Sequence, residues 1–265
     1  MSEIPTMPSP SPKRAPTFLG RLAEAVRQQN WFAVALEMLI VVVGVFLGIQ
    51  LGNWNADRAD RRAYARALDR LDAEIETNLG ILDDMDPDLA QTHRIARAGF
   101  DALRSCEDTE ANRRAVDAAL SQISGTYGLH LRRIALDELT TDPDLLAQQS
   151  PGERQRFADL LFTLDLMQGE ARFAEFYPLE GRLETDPAVE PGEPRDSTFT
   201  YFGADFSRTR YPLRLGVPVS EACRLGTLAG KFQAWLGWQG NLPVASRAIR
   251  HELDETRALL ARRSP

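Results

Sequence analysis

The feature that most limits this chain is the run Trp31 to Leu51, WFAVALEMLIVVVGVFLGIQL, interrupted only by Glu37 and Gln50. About twenty apolar residues wound as a helix span the hydrocarbon layer of a bilayer while satisfying their own backbone hydrogen bonds. Trp31 and Trp54 flank the run, where amphipathic aromatic rings settle at the membrane interface. The run is apolar on every face, which makes the buried core helix of a soluble protein the poorer alternative. A cleaved signal peptide is a second alternative, but Phe46/Gly48 and Gln50/Gly52 offer a peptidase no small-x-small pattern. The expectation is an uncleaved transmembrane helix over 31–52. A cytoplasmic tail and juxtamembrane segment over 1–30 precede it, and a soluble α-helical domain over 53–265 follows.

Charge gives the orientation less directly. The short tail carries Lys13, Arg14, Arg21 and Arg27, but Arg58, Arg61, Arg62, Arg66 and Arg70 follow the span. Long domains cross membranes regardless of charge, so the tail is the better reporter and is expected in the cytoplasm, with the main domain periplasmic or otherwise extracytoplasmic. Arg58 and Arg62 stand with Trp31 and Trp54 as candidate interface residues, within reach of anionic head groups. Within the span, Gly44, Gly48 and Gly52 recur every fourth residue and form a groove along one side, while Glu37 lies about twenty degrees from Gly44 around the helix. A carboxyl group in hydrocarbon faces a partner or snorkels to water. These four residues are the candidate helix–helix contact, through which the anchor self-associates or docks on another membrane protein.

The segment Trp31-Phe, Glu37 to Leu51, and Gly52-Asn53-Trp54-Asn55 with the charged helix after it resembles an uncharacterised family of bacterial single-pass membrane proteins. In that family the N-terminal anchor carries a Glu near its start and ends in an Asn-Trp-Asn signature. The resemblance covers about residues 30 to 75. It implies a bacterial inner-membrane location and no particular activity.

The rest of the chain reads as all-α. Residues 5–16 are rich in Pro and Ser and read as a disordered tail, and Phe18 to Gln29 suits a short helix at the membrane surface. After the anchor, Tyr64, Leu68, Leu71, Ile75, Leu79 and Leu82 repeat at helical spacing. Asp86-Pro87 has the form of an N-cap with proline at the first helical position, predicting a new helix with Leu89, His93, Ala96, Phe100 and Leu103 in register. A helix is predicted after Thr109, ending at Gly125. Another is predicted after the capping box Ser150-Pro151-Gly152-Glu153, running past Ala171 until Pro178 bends or ends it. The prolines and glycines between about 185 and 218 forbid a long helix and predict one long loop, with Thr198 to Phe202 as a short strand. Two final helices are predicted over 219–239 and 243–263, completing a helical bundle.

Chemistry-bearing constellations are sparse. The net charge is −7, and residues 1–52 hold four basic against three acidic side chains, so the acidity lies in the domain. That sign opposes phosphate binding, and no nucleic-acid partner is expected. None of His93, His130 or His251 has a carboxylate three positions before it, and His251 and Glu255 lack a second histidine, so no metal, cofactor or catalytic residue is assigned. His93 is expected as a core histidine. Cys106 and Cys223 are the only cysteines and make at most one bridge, the alternative being two buried thiols. Leu228, Phe232, Trp235 and Trp238 fit either an apolar ligand pocket or a bundle core. The expected function is that of a membrane-anchored structural, interaction or sensing protein with the bilayer as one partner. A lipid or small apolar ligand-binding module and an enzyme of unrecognised type are the alternatives.

Overall fold

The computed structural model describes residues 31–201 and 204–263. The expectations for the Pro/Ser-rich tail and for Phe18 to Gln29 therefore lie outside the described residues. The chain is all-α, with two short antiparallel strand pairs, and divides into one unit ending at Ala59 and another beginning at Asp60. Helix α1 (Trp31–Ser105) contributes residues to both. The expected helix start at Asp86-Pro87 is corrected: Pro87 lies inside α1. Proline cannot donate to the carbonyl four residues back. The buried positions Leu71, Ile75, Asn78, Leu82, Leu89, Thr92, Ala96, Gly99 and Leu103 nevertheless keep steps of three, four or seven across it, so one face stays against the core throughout. Asp86 is not a cap. Its carboxylate accepts from the Ser246 hydroxyl and from Arg250, which also pairs with Asp83.

Helix α2 (Glu110–Ile123) starts where expected, with the Thr109 hydroxyl accepting from the Asn112 amide at 3.1 Å. Two short helices follow that no apolar repeat announced, α3 (Ile134–Thr141) and α4 (Pro143–Gln148). A residue of α1 supplies the missing cap of α3, because Glu74 accepts from the amides of Ala135 and Leu136. A carboxylate there also opposes the positive end of the helix dipole. One turn along, buried Asn78 exchanges two bonds with the backbone of Arg132, at 2.7 and 2.8 Å. Helix α5 (Pro151–Glu180) opens on the Ser150–Glu153 capping box and passes Pro178.

The expected loop over 185–218 is largely ordered as strands. Strand β1 (Val189–Pro191) pairs with β4 (Leu213–Leu215), and β2 (Arg195–Tyr201) pairs with β3 (Ala204–Arg210), opposing Phe199 to Phe206. Phe202, at the end of the predicted strand, lies outside the described residues. The β1–β4 pair is fixed to α2, because Arg113 donates to the Leu215 carbonyl and the Leu215 amide donates to Asp117. The helix expected over 219–239 is two, α6 (Val219–Leu225) and α7 (Thr227–Gln239), since Gly226 takes φ +72°, a left-handed conformation that ends a helix. Leu225 is consequently exposed. Helix α8 (Leu242–Ala261) closes the chain.

The core of this unit comprises two clusters. One joins Leu71, Ile75 and Leu82 to Leu136, Phe157, Leu160, Leu164, Ile249 and Leu253. The other joins Ala96 and Leu103 to Val116, Leu120, Leu215, Leu228, Phe232 and Trp235. Each fully buried Leu or Phe contributes about 1.5–3 kcal/mol.

Candidate functional site

From Trp31 to Ala59 helix α1 is exposed along its length, Ala33 aside, and it is the one helix among the described residues long and apolar enough to cross a membrane. Trp31 and Trp54 stand 23 positions apart, about 35 Å along a helix, slightly more than a hydrocarbon layer. The Arg58 guanidinium lies 5.7 Å from the Trp54 ring centroid, the contact of a cation with an aromatic face. Arg62 is exposed eight residues after Trp54. Glu37, Gly44, Gly48 and Gly52 are exposed, and a Cβ built on any of these glycines meets nothing within 4 Å.

The second unit contains a polar junction that no motif announced in full. Glu153, buried to 3% exposure, accepts from the Tyr64 hydroxyl at 3.0 Å, from the Ser150 amide at 2.8 Å and from Arg263 through two nitrogens. Arg263 also sits over the Tyr64 ring, 5.3 Å from its centroid. Burial, then the charge of Glu153, pushes the Tyr64 phenol well above its ordinary value, so it remains a donor. A groove of about 770 Å³ opens beside this junction, lined by Arg61, Tyr64, Asp69, Asp72, Gln148 and Arg257. Its mixed charges and lack of a convergent catalytic set give it no identifiable chemistry.

Cys106 and Cys223 are paired as a disulfide with Cα atoms 5.4 Å apart. It joins the end of α1 to α6, and beside it Asp108 accepts from the amide and hydroxyl of Ser220, which holds its carboxyl below the usual range. Of Leu228, Phe232, Trp235 and Trp238, offered by the sequence as either an apolar pocket or a bundle core, three are core. The first three are at most 1% exposed within the core, where Trp235 donates to the Gly125 carbonyl. Trp238 is half-buried, packs its ring 4.9 Å from Tyr177 and lines with it an open groove of about 450 Å³.

His93 is half-buried 5.2 Å from the Trp235 ring, and its Nε2 has no hydrogen-bond partner. Burial lowers its pKa. His130 is exposed 3.5 Å from Glu175, and His251 is exposed on α8.

The residue-level reading missed a second apolar stripe on α5. Phe162, Leu166, Phe173, Phe176 and Tyr177 are 67%, 44%, 64%, 58% and 47% exposed, on the face opposite the buried Phe157, Leu160, Leu164, Ala171 and Ala174. The signal was present as a second series with helical spacing. No protein-family model, curated protein or solved structure matches this chain.

Proposed function

We propose that this is a bitopic protein of the bacterial inner membrane that acts through its extracytoplasmic helical domain as a structural, interaction or sensing component, and whose anchor associates laterally through Glu37, Gly44, Gly48 and Gly52. The observation that carries the reading is the exposed apolar stretch of α1, which no other described element covers and which water would not tolerate. The basic N-terminal tail supports a cytoplasmic N-terminus. The pairing of Cys106 with Cys223 supports an oxidising compartment for the domain. The Asn53-Trp54-Asn55 ending and the Glu near the start of the anchor support the proposed family kinship.

Lateral association follows from the open glycine face. Without a hydrophobic force between helices in lipid, close backbone approach at small residues supplies the packing, and Glu37, on nearly the same face, gains a hydrogen-bond partner across the contact. Energy transfer between differently labelled full-length copies in liposomes tests this. Replacing Gly44 and Gly48 by Ile abolishes anchor-region transfer, whereas Val43→Ile leaves it intact. Equal transfer in the two variants overturns the assignment.

A further inference from the structure

We infer that the exposed stripe on α5 is a self-association seam, occupied by the same helix of a second copy running parallel to it; this rests on the membrane-anchored reading above. The evidence begins with periodicity. Phe162, Leu166, Gly169, Phe173 and Phe176 advance by four, three, four and three, the alternation of a heptad seam, with Tyr177 on its border. Helix α5 is therefore apolar on two opposite faces, and among the described residues only one of them packs into the core, the other meeting its own chain at the Tyr177–Trp238 border contact. A helix apolar on both sides is expected to be covered on both.

The dimensions fit a tethered dimer. Aromatic side chains carry about 150–250 Å² each, so five side chains exposed to this degree offer roughly 500 Å² per copy. Two copies together bury about 1,000 Å², the lower limit for a specific interface. Such a seam is weak between freely diffusing molecules. Confinement of both copies to one membrane raises their effective concentration and makes a weak contact sufficient.

The chain path fixes the direction of α5 within its own unit. The start of α5 meets the start of the second unit where Tyr64 donates to Glu153. Towards the far end, Gln239 donates to the carbonyls of Ala174 and Tyr127, and the Tyr127 hydroxyl is 3.0 Å from Thr92. Helix α5 thus runs in the same direction as residues 64–92 of α1. Each chain enters this unit at Asp60, eight residues after Gly52, so two copies anchored in one bilayer begin it on the same side. In the proposed pair their α5 helices are parallel.

The parallel register places Gly169 against Gly169, where nothing lies within 4 Å of a built Cβ and the backbones can approach. Arg172 comes to the ring of Tyr177 of the second copy, five residues on, and Asp165 to Glu170 of the second copy. Asp165 is already paired with Arg133 of its own chain, which moderates that acid–acid contact.

The test is oxidative cross-linking of the full chain in native membranes and in liposomes, with the native disulfide left intact. Leu166→Cys and Phe173→Cys are each expected to give a product of twice the chain mass, and Asp254→Cys on exposed α8 is not. Glu170→Lys, added to either cysteine variant, is expected to raise the cross-linked fraction several-fold, because the introduced ammonium group would then face Asp165. In an antiparallel pair position 170 meets itself, and no gain results. Products only between the two different cysteine variants overturn the parallel seam. A product with another protein at these positions overturns the second-copy assignment. Absence of cross-linking while anchor-region energy transfer persists overturns the seam alone, and loss of both signals overturns the lateral association of the anchor with it.

Discussion

Gly99→Ala and Gly80→Ala place the same methyl group on the same helix, and they are expected to change stability in opposite directions. Replacing a glycine inside a helix with alanine gains about 0.5–1 kcal/mol, because the unfolded chain loses backbone freedom. At Gly80 that gain stands alone, since a Cβ there meets nothing within 4 Å. At Gly99 the new Cβ would lie 2.2 Å from the Ala119 Cβ, 2.9 Å from the Ala115 carbonyl oxygen and 3.4 Å from Phe232. Carbon atoms settle at about 3.5–4.0 Å, and an alanine methyl has no rotamer by which to retreat. Helices α1 and α2 must therefore separate by more than an ångström beside the core of Leu120, Phe232 and Trp235. Overpacking of this kind costs about 1–3 kcal/mol, and the rigidity of the opposing atoms puts this site at the upper end. The net expectation is a loss of about 1–2 kcal/mol for Gly99→Ala. In thermal unfolding of the full chain in detergent, followed by circular dichroism, this lowers Tm by roughly 2–8 °C, while Gly80→Ala raises it by up to about 4 °C. A Gly99→Ala protein as stable as the parent would refute the close approach of the two helices.

The disulfide and the half-buried histidine give two further expectations. The Cys106–Cys223 bridge spans 117 positions, for which the chain-entropy estimate is about 5 kcal/mol; the Cys106→Ser/Cys223→Ser protein should melt at least about 10 °C lower, and the intact chain should take up no alkylating agent before reduction, two free thiols being the refuting result. His93, its pKa lowered by burial, remains neutral in the folded chain at a pH where the unfolded chain, with the ordinary value of 6.5, is protonated. Stability therefore falls as pH drops through and below 6.5, and His93→Gln should lose less Tm between about pH 7.5 and 5.5 than the parent, an equal loss removing His93 as the cause.

How far the fold was legible depends on whether a signal was local. The capping boundaries at Thr109 and Ser150 were readable because the cap residue, the following amides and the apolar repeat all lie within a few positions. Helix α3 was not, because its cap is Glu74, sixty-one positions before Ala135. Pro87 misled for the converse reason. An Asp-Pro pair is a genuine local start signal, but the stripe from Leu71 to Leu103 packs as one face, and the burial along it outweighs one lost hydrogen bond, worth about 1 kcal/mol.

The candidate site divides along the same line. The exposed apolar stretch and its open glycine face were readable within 31–52, since a helix satisfies its own backbone and needs no distant partner to be recognised. The α5 seam was present but undecidable from spacing alone. Phe157, Leu160, Leu164, Ala171 and Ala174 form one helical series, and Phe162, Leu166, Phe173 and Phe176 form another on the opposite side. Which of them becomes core is chosen by α3, α7 and α8, elements whose positions the repeat does not encode. Those helices cover the smaller, leucine- and alanine-rich series, whose side chains allow close packing, and leave the aromatic series outward. An outward aromatic series at heptad spacing is the arrangement a chain needs if its second contact is with a helix outside itself, and this is why the cross-linking of Leu166→Cys and Phe173→Cys bears on the function as well as on the fold.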